Sequence, residues 1–147
     1  MYKNILVPLD GSALAETSLN YVAGIAAYIK PLSVTLLRAR EPMDAGVRQR
    51  LSSDLARQLD EAYQEELESY LTKVAESLKE KGINVKTAAV AGGAAESILD
   101  WARENKTDII IMSSHGRTGI ARWAFGSVTE KVLKESEIPV LVIPHRA

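Results

Sequence analysis

Short, wholly apolar runs alternate along this chain with longer stretches in which apolar residues return every three or four positions. Ile5-Leu6-Val7 is the first such run, closed by Pro8 and by the turn-forming Asp10-Gly11-Ser12. A run apolar on both faces predicts a strand buried inside a parallel sheet. Leu14, Leu19, Val22, Ile25, Ala26 and Ile29 then mark one face of a helix over 13–29, with Ser12 as its N-cap and Pro31 beyond its end. Val34-Thr35-Leu36-Leu37 reads as the second strand. Residues 41–50, punctuated by Pro42, Asp44 and Gly46, read as a loop, either a lid or a plain connection. A long charged helix follows over 52–81, with Leu55, Leu59, Tyr63, Leu67, Leu71, Val74 and Leu78 as its buried stripe. Gly82 sits where a left-handed C-cap is expected.

The second half repeats the alternation. A strand over 85–90 ends at Ala91-Gly92-Gly93, and Ile98, Leu99 and Ala102 give the next helix its inner face. Asp108-Ile109-Ile110-Ile111-Met112 is the fourth strand. Beyond Gly126, Val128, Val132 and Leu133 define a helix, and Pro139 and Pro144 bracket a last strand, Val140-Leu141-Val142-Ile143. Strands and helices alternating at this spacing imply right-handed crossovers and an open, five-stranded parallel sheet with helices on both faces, a Rossmann-like α/β domain spanning 1–147.

Composition narrows the function classes. Eighteen Lys and Arg against nineteen Asp and Glu leave a formal charge of −1, which argues against a general electrostatic grip on nucleic acid or anionic lipid. The chain has no cysteine, which removes thiol catalysis, disulfides and Cys-ligated metals, and its two histidines do not suggest a metal centre. No signal-peptide or membrane-spanning run is present, so the expected location is cytoplasmic.

In open α/β sheets ligands bind beyond the carboxyl ends of the strands, where the strand order reverses. That rule gathers Pro8-Leu9-Asp10-Gly11-Ser12, Ala39-Arg40 and residues 113–127. The last segment begins Ser113-Ser114-His115-Gly116-Arg117-Thr118-Gly119 and enters a helix at Gly126-Ser127. Its glycines would let backbone N–H groups approach a phosphate, and the helix behind it adds a positive dipole end. Ser127 could donate its hydroxyl, with Arg117 and Arg122 as counter-charges at the rim. In the alternative, Gly116 and Gly119 only make a turn and Ser127 only caps a helix. Neither G-x-x-x-x-G-K-[ST] nor G-x-G-x-x-G occurs, and no G-x-S-x-G elbow is present.

Taken in order, these segments resemble the universal stress protein family, small α/β proteins related in fold to adenine-nucleotide binders. The resemblance runs from Ile5-Leu6-Val7-Pro8-Leu9-Asp10-Gly11-Ser12 through Val90-Ala91-Gly92 with Ala95-Glu96-Ser97-Ile98. It continues over 108–119 to Gly126-Ser127-Val128 and Pro139-Val140-Leu141-Val142-Ile143-Pro144. The ATP-binding branch of that family carries G-x2-G-x9-G-[ST]. Here Gly116 and Gly126 take the second and third glycine positions, Ser127 takes the hydroxyl position, and Ser113 stands where the first glycine would be.

The resemblance implies strand order 3-2-1-4-5 and a site for ATP, or for AMP or ADP, with Mg²⁺. Pro8, Leu9 and Asp10 would line the adenosine end, with Ala39 and Met112 near the base. Gly116, Gly119, Gly126, Ser127 and Val128 would surround the phosphates, and Ser113, at the first motif position, and Arg117, at the rim, are counted with the cofactor-binding residues. Asp10 would either accept a ribose hydroxyl hydrogen or bind the accompanying metal. The apolar last strand, at the sheet edge, implies antiparallel pairing with a second copy, giving a homodimer. The implied function is a stress-response nucleotide binder or switch with at most slow hydrolysis. The alternative is a dimeric interaction module whose pocket is empty. A Ser–His–Asp set of Ser127, His115 and Asp10 can also be written, but such sets are recognised by geometry, not by composition.

Overall fold

The computed structural model describes residues 2–30, 32–114 and 125–145. Five parallel strands, β1 (Asn4–Pro8), β2 (Ser33–Arg40), β3 (Asn84–Ala91), β4 (Ile109–Ser113) and β5 (Val140–Ile143), form one sheet in the order β3-β2-β1-β4-β5. The expected order is therefore observed. Its reversal falls between β1 and β4, the central pair, where Ile5 registers with Ile109.

Alternating side chains distribute the core to both faces of the sheet. On one face Ile5, Val7, Val34, Leu36 and Ile111 meet Val22 of α2 (Ser18–Ala26) and Leu71, Ala75 and Leu78 of α4 (Ser53–Lys79). On the other, Leu6, Leu37, Ile110 and Met112 meet Ile98 and Ala102 of α5 (Ala94–Glu104) and Val132 of α6 (Ser127–Glu135). Among the described residues no helix is long and apolar enough to cross a membrane.

Three sequence expectations are corrected. The helix expected over 13–29 is divided into α1 (Ala13–Glu16) and α2. The Thr17 hydroxyl donates to the Leu14 carbonyl at 2.6 Å and the Ser18 hydroxyl to the Ala15 carbonyl at 2.7 Å. These side chains compete for carbonyls that a continuous helix would use. The loop expected over 41–50 contains a helix, α3 (Ala45–Arg50), because the Asp44 carboxylate accepts the Val47 N–H at 3.2 Å and caps it.

The expected stripe of α4 fails at its start: Leu55 is 43% and Leu59 44% exposed, and Ala56 is buried instead. A helix of 27 residues is about 40 Å long, and an eight-residue strand such as β3 about 26 Å, so its first turns overhang the sheet.

Candidate functional site

The carboxyl ends of β1, β2 and β4 and the amino ends of α5 and α6 enclose a crevice of about 340 Å³, large enough for a small ligand. Pro8, Leu9 and Asp10 form its wall after β1, Ala39 and Glu41 its wall at the end of β2, and Met112 and Ser113 its wall at the end of β4. Gly126, Ser127, Val128 and Thr129 close it at the mouth of α6. Nine of the residues singled out from the sequence, Pro8, Leu9, Asp10, Ala39, Met112, Ser113, Gly126, Ser127 and Val128, thus line one cavity. Gly116, Arg117 and Gly119 lie outside the described residues, as do His115 and Arg122.

The mouth of α6 has a simple physical character. Gly126, not Ser127, is the N-cap, with φ −62° and ψ 158°, and, being glycine, it offers no side-chain oxygen to cap the helix. The reading of Ser127 as a helix cap is therefore corrected: Ser127 is the first helical residue. First-turn N–H groups have no acceptor within their own helix, and here the first-turn residues Ser127, Val128 and Thr129 line the crevice, with no side-chain cap from Gly126. Aligned peptide dipoles add positive potential at the same place. The mouth is pinned to the end of β4 from two sides. The Gly126 N–H donates to the Ser114 carbonyl at 3.0 Å, and the buried Thr129 hydroxyl donates to the Ser113 carbonyl at 3.1 Å.

On the opposite side, Asp10 organises the turn after β1. One of its carboxylate oxygens accepts the Ser12 N–H at 2.9 Å and the Ser12 hydroxyl at 2.5 Å, while Ser12 Oγ accepts the Ala15 N–H at 3.1 Å and caps α1. Gly11 follows with φ +84°, a left-handed conformation that glycine adopts without steric cost. Asp10 is thus half-buried, turn-forming and exposed to the crevice at once. Among the described residues no group of three or more acidic or histidine side chains could hold a metal ion.

Arg38, Glu41, Tyr63, Ala94, Ile98 and Thr129 also line the crevice and were missed from the sequence. Tyr63 and Ile98 carry the signature of core positions on amphipathic helices. Arg38 did leave a signal: a charged residue directly after the apolar Val34-Thr35-Leu36-Leu37, at the carboxyl end of a central strand. It is buried, and its guanidinium lies over the Tyr70 ring. Burial, and then the hydrogen bond from its hydroxyl to Glu16, raise the Tyr70 pKa above its ordinary value, so the phenol stays a donor.

At the rim, Asp60 of α4 accepts from Arg40 at 3.3 Å and from Arg48 at 3.1 Å, tying α3 to the end of β2.

Residues 1–144 match the model of the universal stress protein family. Universal stress protein MJ0577 of Methanocaldococcus jannaschii is 35% identical over 159 residues, covering 99% of this chain and 97% of the relative. The solved structure of MJ0577 superposes with a TM-score of 0.87 at 33% identity, over 100% of this chain and 99% of that one. Two more distant structures share the fold. One is a universal stress protein in complex with cAMP, with a TM-score of 0.71 at 20% identity over 99% of this chain and 98% of that one. The other is a family protein of Arabidopsis thaliana with AMP bound, with a TM-score of 0.72 at 15% identity over 99% of this chain and 93% of that one.

Proposed function

The chain belongs to the universal stress protein family, and on that footing we propose that it binds an adenine nucleotide in the crevice and acts as a ligand-responsive stress protein. The base packs between Ala39 and Met112, the ribose lies at Asp10, and the phosphates lie at the mouth of α6. The observation that carries this reading is the first turn of α6, which has no cap from its glycine N-cap and whose residues line a cavity of ligand size. The AMP and cAMP bound by two proteins of the same fold support it.

ATP with Mg²⁺ is the form we favour. Mg²⁺, when bound, would be held mainly by the phosphate oxygens, as magnesium commonly is at nucleotide sites. The ion would offset phosphate charge. The chain's own contribution is the donor set at α6 and the fixed turn at Asp10. We place the protein in the cytoplasm as a homodimer joined along β5, whose Leu141 is 39% exposed.

A thermal-shift titration with ATP, AMP and no ligand tests the reading. A nucleotide at about 100 times its Kd adds roughly 2.7 kcal/mol to stability and raises the midpoint. No shift with any adenine nucleotide would favour a dimeric interaction module instead.

A further inference from the structure

The crevice contains a buried cation that the reading above leaves unused. Arg38 is 7% exposed and lines the crevice beside Asp10 and Ala15. Its guanidinium carbon lies 4.8 Å from the centroid of the Tyr70 ring. Its Nη2 comes so near the Asp10–Gly11 turn that a Cβ on Gly11 would stand 3.0 Å away. Among the described residues no carboxylate lies within ion-pair distance of it. One oxygen of the Glu16 carboxylate accepts the Tyr70 hydroxyl at 2.7 Å. A buried charge is costly unless it is paired, and an aromatic face offsets only part of that cost. Among the described residues no buried side-chain nitrogen or oxygen lacks a hydrogen-bond partner, so the guanidinium of Arg38 opens on the ligand-sized crevice it borders, where an entering anion can reach it.

We propose that Arg38 reads a phosphate carried on the sugar of the bound nucleotide, separate from the phosphate chain at the mouth of α6. This rests on the adenine-nucleotide reading and specifies its ligand class. Arg38 touches the turn that carries Asp10, the residue assigned to the ribose hydroxyl edge, whereas α6 closes the crevice from the side of β4. A phosphate ester at the 2′ or 3′ position of the ribose faces Arg38 while the 5′ phosphate faces α6. The planar guanidinium fork matches two phosphate oxygens, and the missing Cβ of Gly11 leaves room for the guanidinium beside the Asp10–Gly11 turn. The preferred class is a nucleotide with anions at both edges of its sugar.

Calorimetric titration of the full chain with adenosine 3′,5′-bisphosphate and with AMP tests this, in wild type, Arg38→Gln and Arg38→Lys. Wild type should bind the bisphosphate about tenfold or more tightly than AMP, the effect of one charge-assisted pair. Arg38→Gln should bring the two ligands within about twofold of each other and leave AMP binding within about threefold of wild type, since only the second phosphate loses its partner. If the glutamine variant does not fold, Arg38→Lys serves: without the planar fork it should lose most of the preference. Equal affinities in wild type, or a preference undiminished in either variant, overturn the role of Arg38. If neither ligand binds wild type, the adenine-nucleotide reading falls, and the proposal falls with it.

Discussion

The carboxylate of Asp108 accepts the backbone N–H of Asn4 at 2.8 Å, and the same oxygen accepts that of Lys3 at 2.9 Å. A residue before β4 thereby fixes the entry of β1, its neighbour in the sheet. Those two bonds, Asn4 first, hold the Asp108 pKa below the ordinary carboxylate value. A depressed folded-state pKa contributes stability that is present above the unfolded value, about 4, and is lost as pH falls through the folded one. Asp108→Asn should therefore lower the midpoint of denaturation at pH 7 by the equivalent of about 1 kcal/mol, discounted for solvent screening. The difference from wild type should narrow below about pH 4. Denaturant melts of both proteins at pH 7 and pH 3 would check this, and a difference independent of pH would contradict it.

The link from Asp60 to Arg40 and Arg48 makes a second prediction. These groups are partly exposed, so the pairs contribute little to global stability, on the order of 0–1 kcal/mol. Their effect is local: Asp60→Asn should release α3 from the crevice rim. Limited proteolysis should cut within residues 41–51 faster in the variant, with the thermal midpoint nearly unchanged. Equal cleavage rates would show that α3 is held by other contacts.

The edge of β5 makes a third. Among the described residues β5 pairs with β4 alone, and its outer edge is apolar. Val142→Asp introduces a charge where a second copy would pair, so sedimentation should show monomer or insoluble protein in place of a dimer. An unchanged dimer would rule this edge out as the interface.

A fourth prediction concerns the core beneath the site. Leu71 is fully buried between α4 and the sheet. Leu71→Ala should cost about 3–5 kcal/mol, as cavity-forming substitutions of buried leucine do. A denaturant melt that moves by less than about 1 kcal/mol would mean that the α4–sheet packing is wrong.

The sheet was readable in the sequence because each central strand is apolar on both faces, as Ile5-Leu6-Val7 and Ile109-Ile110-Ile111 are, and only a covered parallel sheet accommodates such runs. What was not readable depended on side-chain competition or on tertiary reach. Thr17 and Ser18 look compatible with a continuous helix until their hydroxyls are seen bonded back to Leu14 and Ala15. Asp44 looks like a turn residue and in fact caps α3. Leu55 and Leu59 keep helical spacing, but no sheet lies beneath them.

At the site, the strand-end rule found the wall residues from Pro8 to Val128. Ser127 was misjudged as a possible cap because N-cap preference depends on backbone angles that the sequence does not display. Arg38 was passed over because its burial is a tertiary fact, although its place after an apolar strand was a usable clue.

If the first-turn amides of α6 hold the phosphates of an adenine nucleotide, Gly126 is the residue at which that contact can be cut. With φ −62° its backbone conformation is one any residue adopts, so in a Gly126→Val protein whose circular dichroism matches wild type a branched side chain should stand in the approach to those amides. Calorimetric titration of wild type and Gly126→Val with ATP and Mg²⁺ is the most direct measurement. Wild type should show saturable one-site binding and the folded variant none. Wild-type binding that persists unchanged in Gly126→Val, or no binding in either, would contradict it.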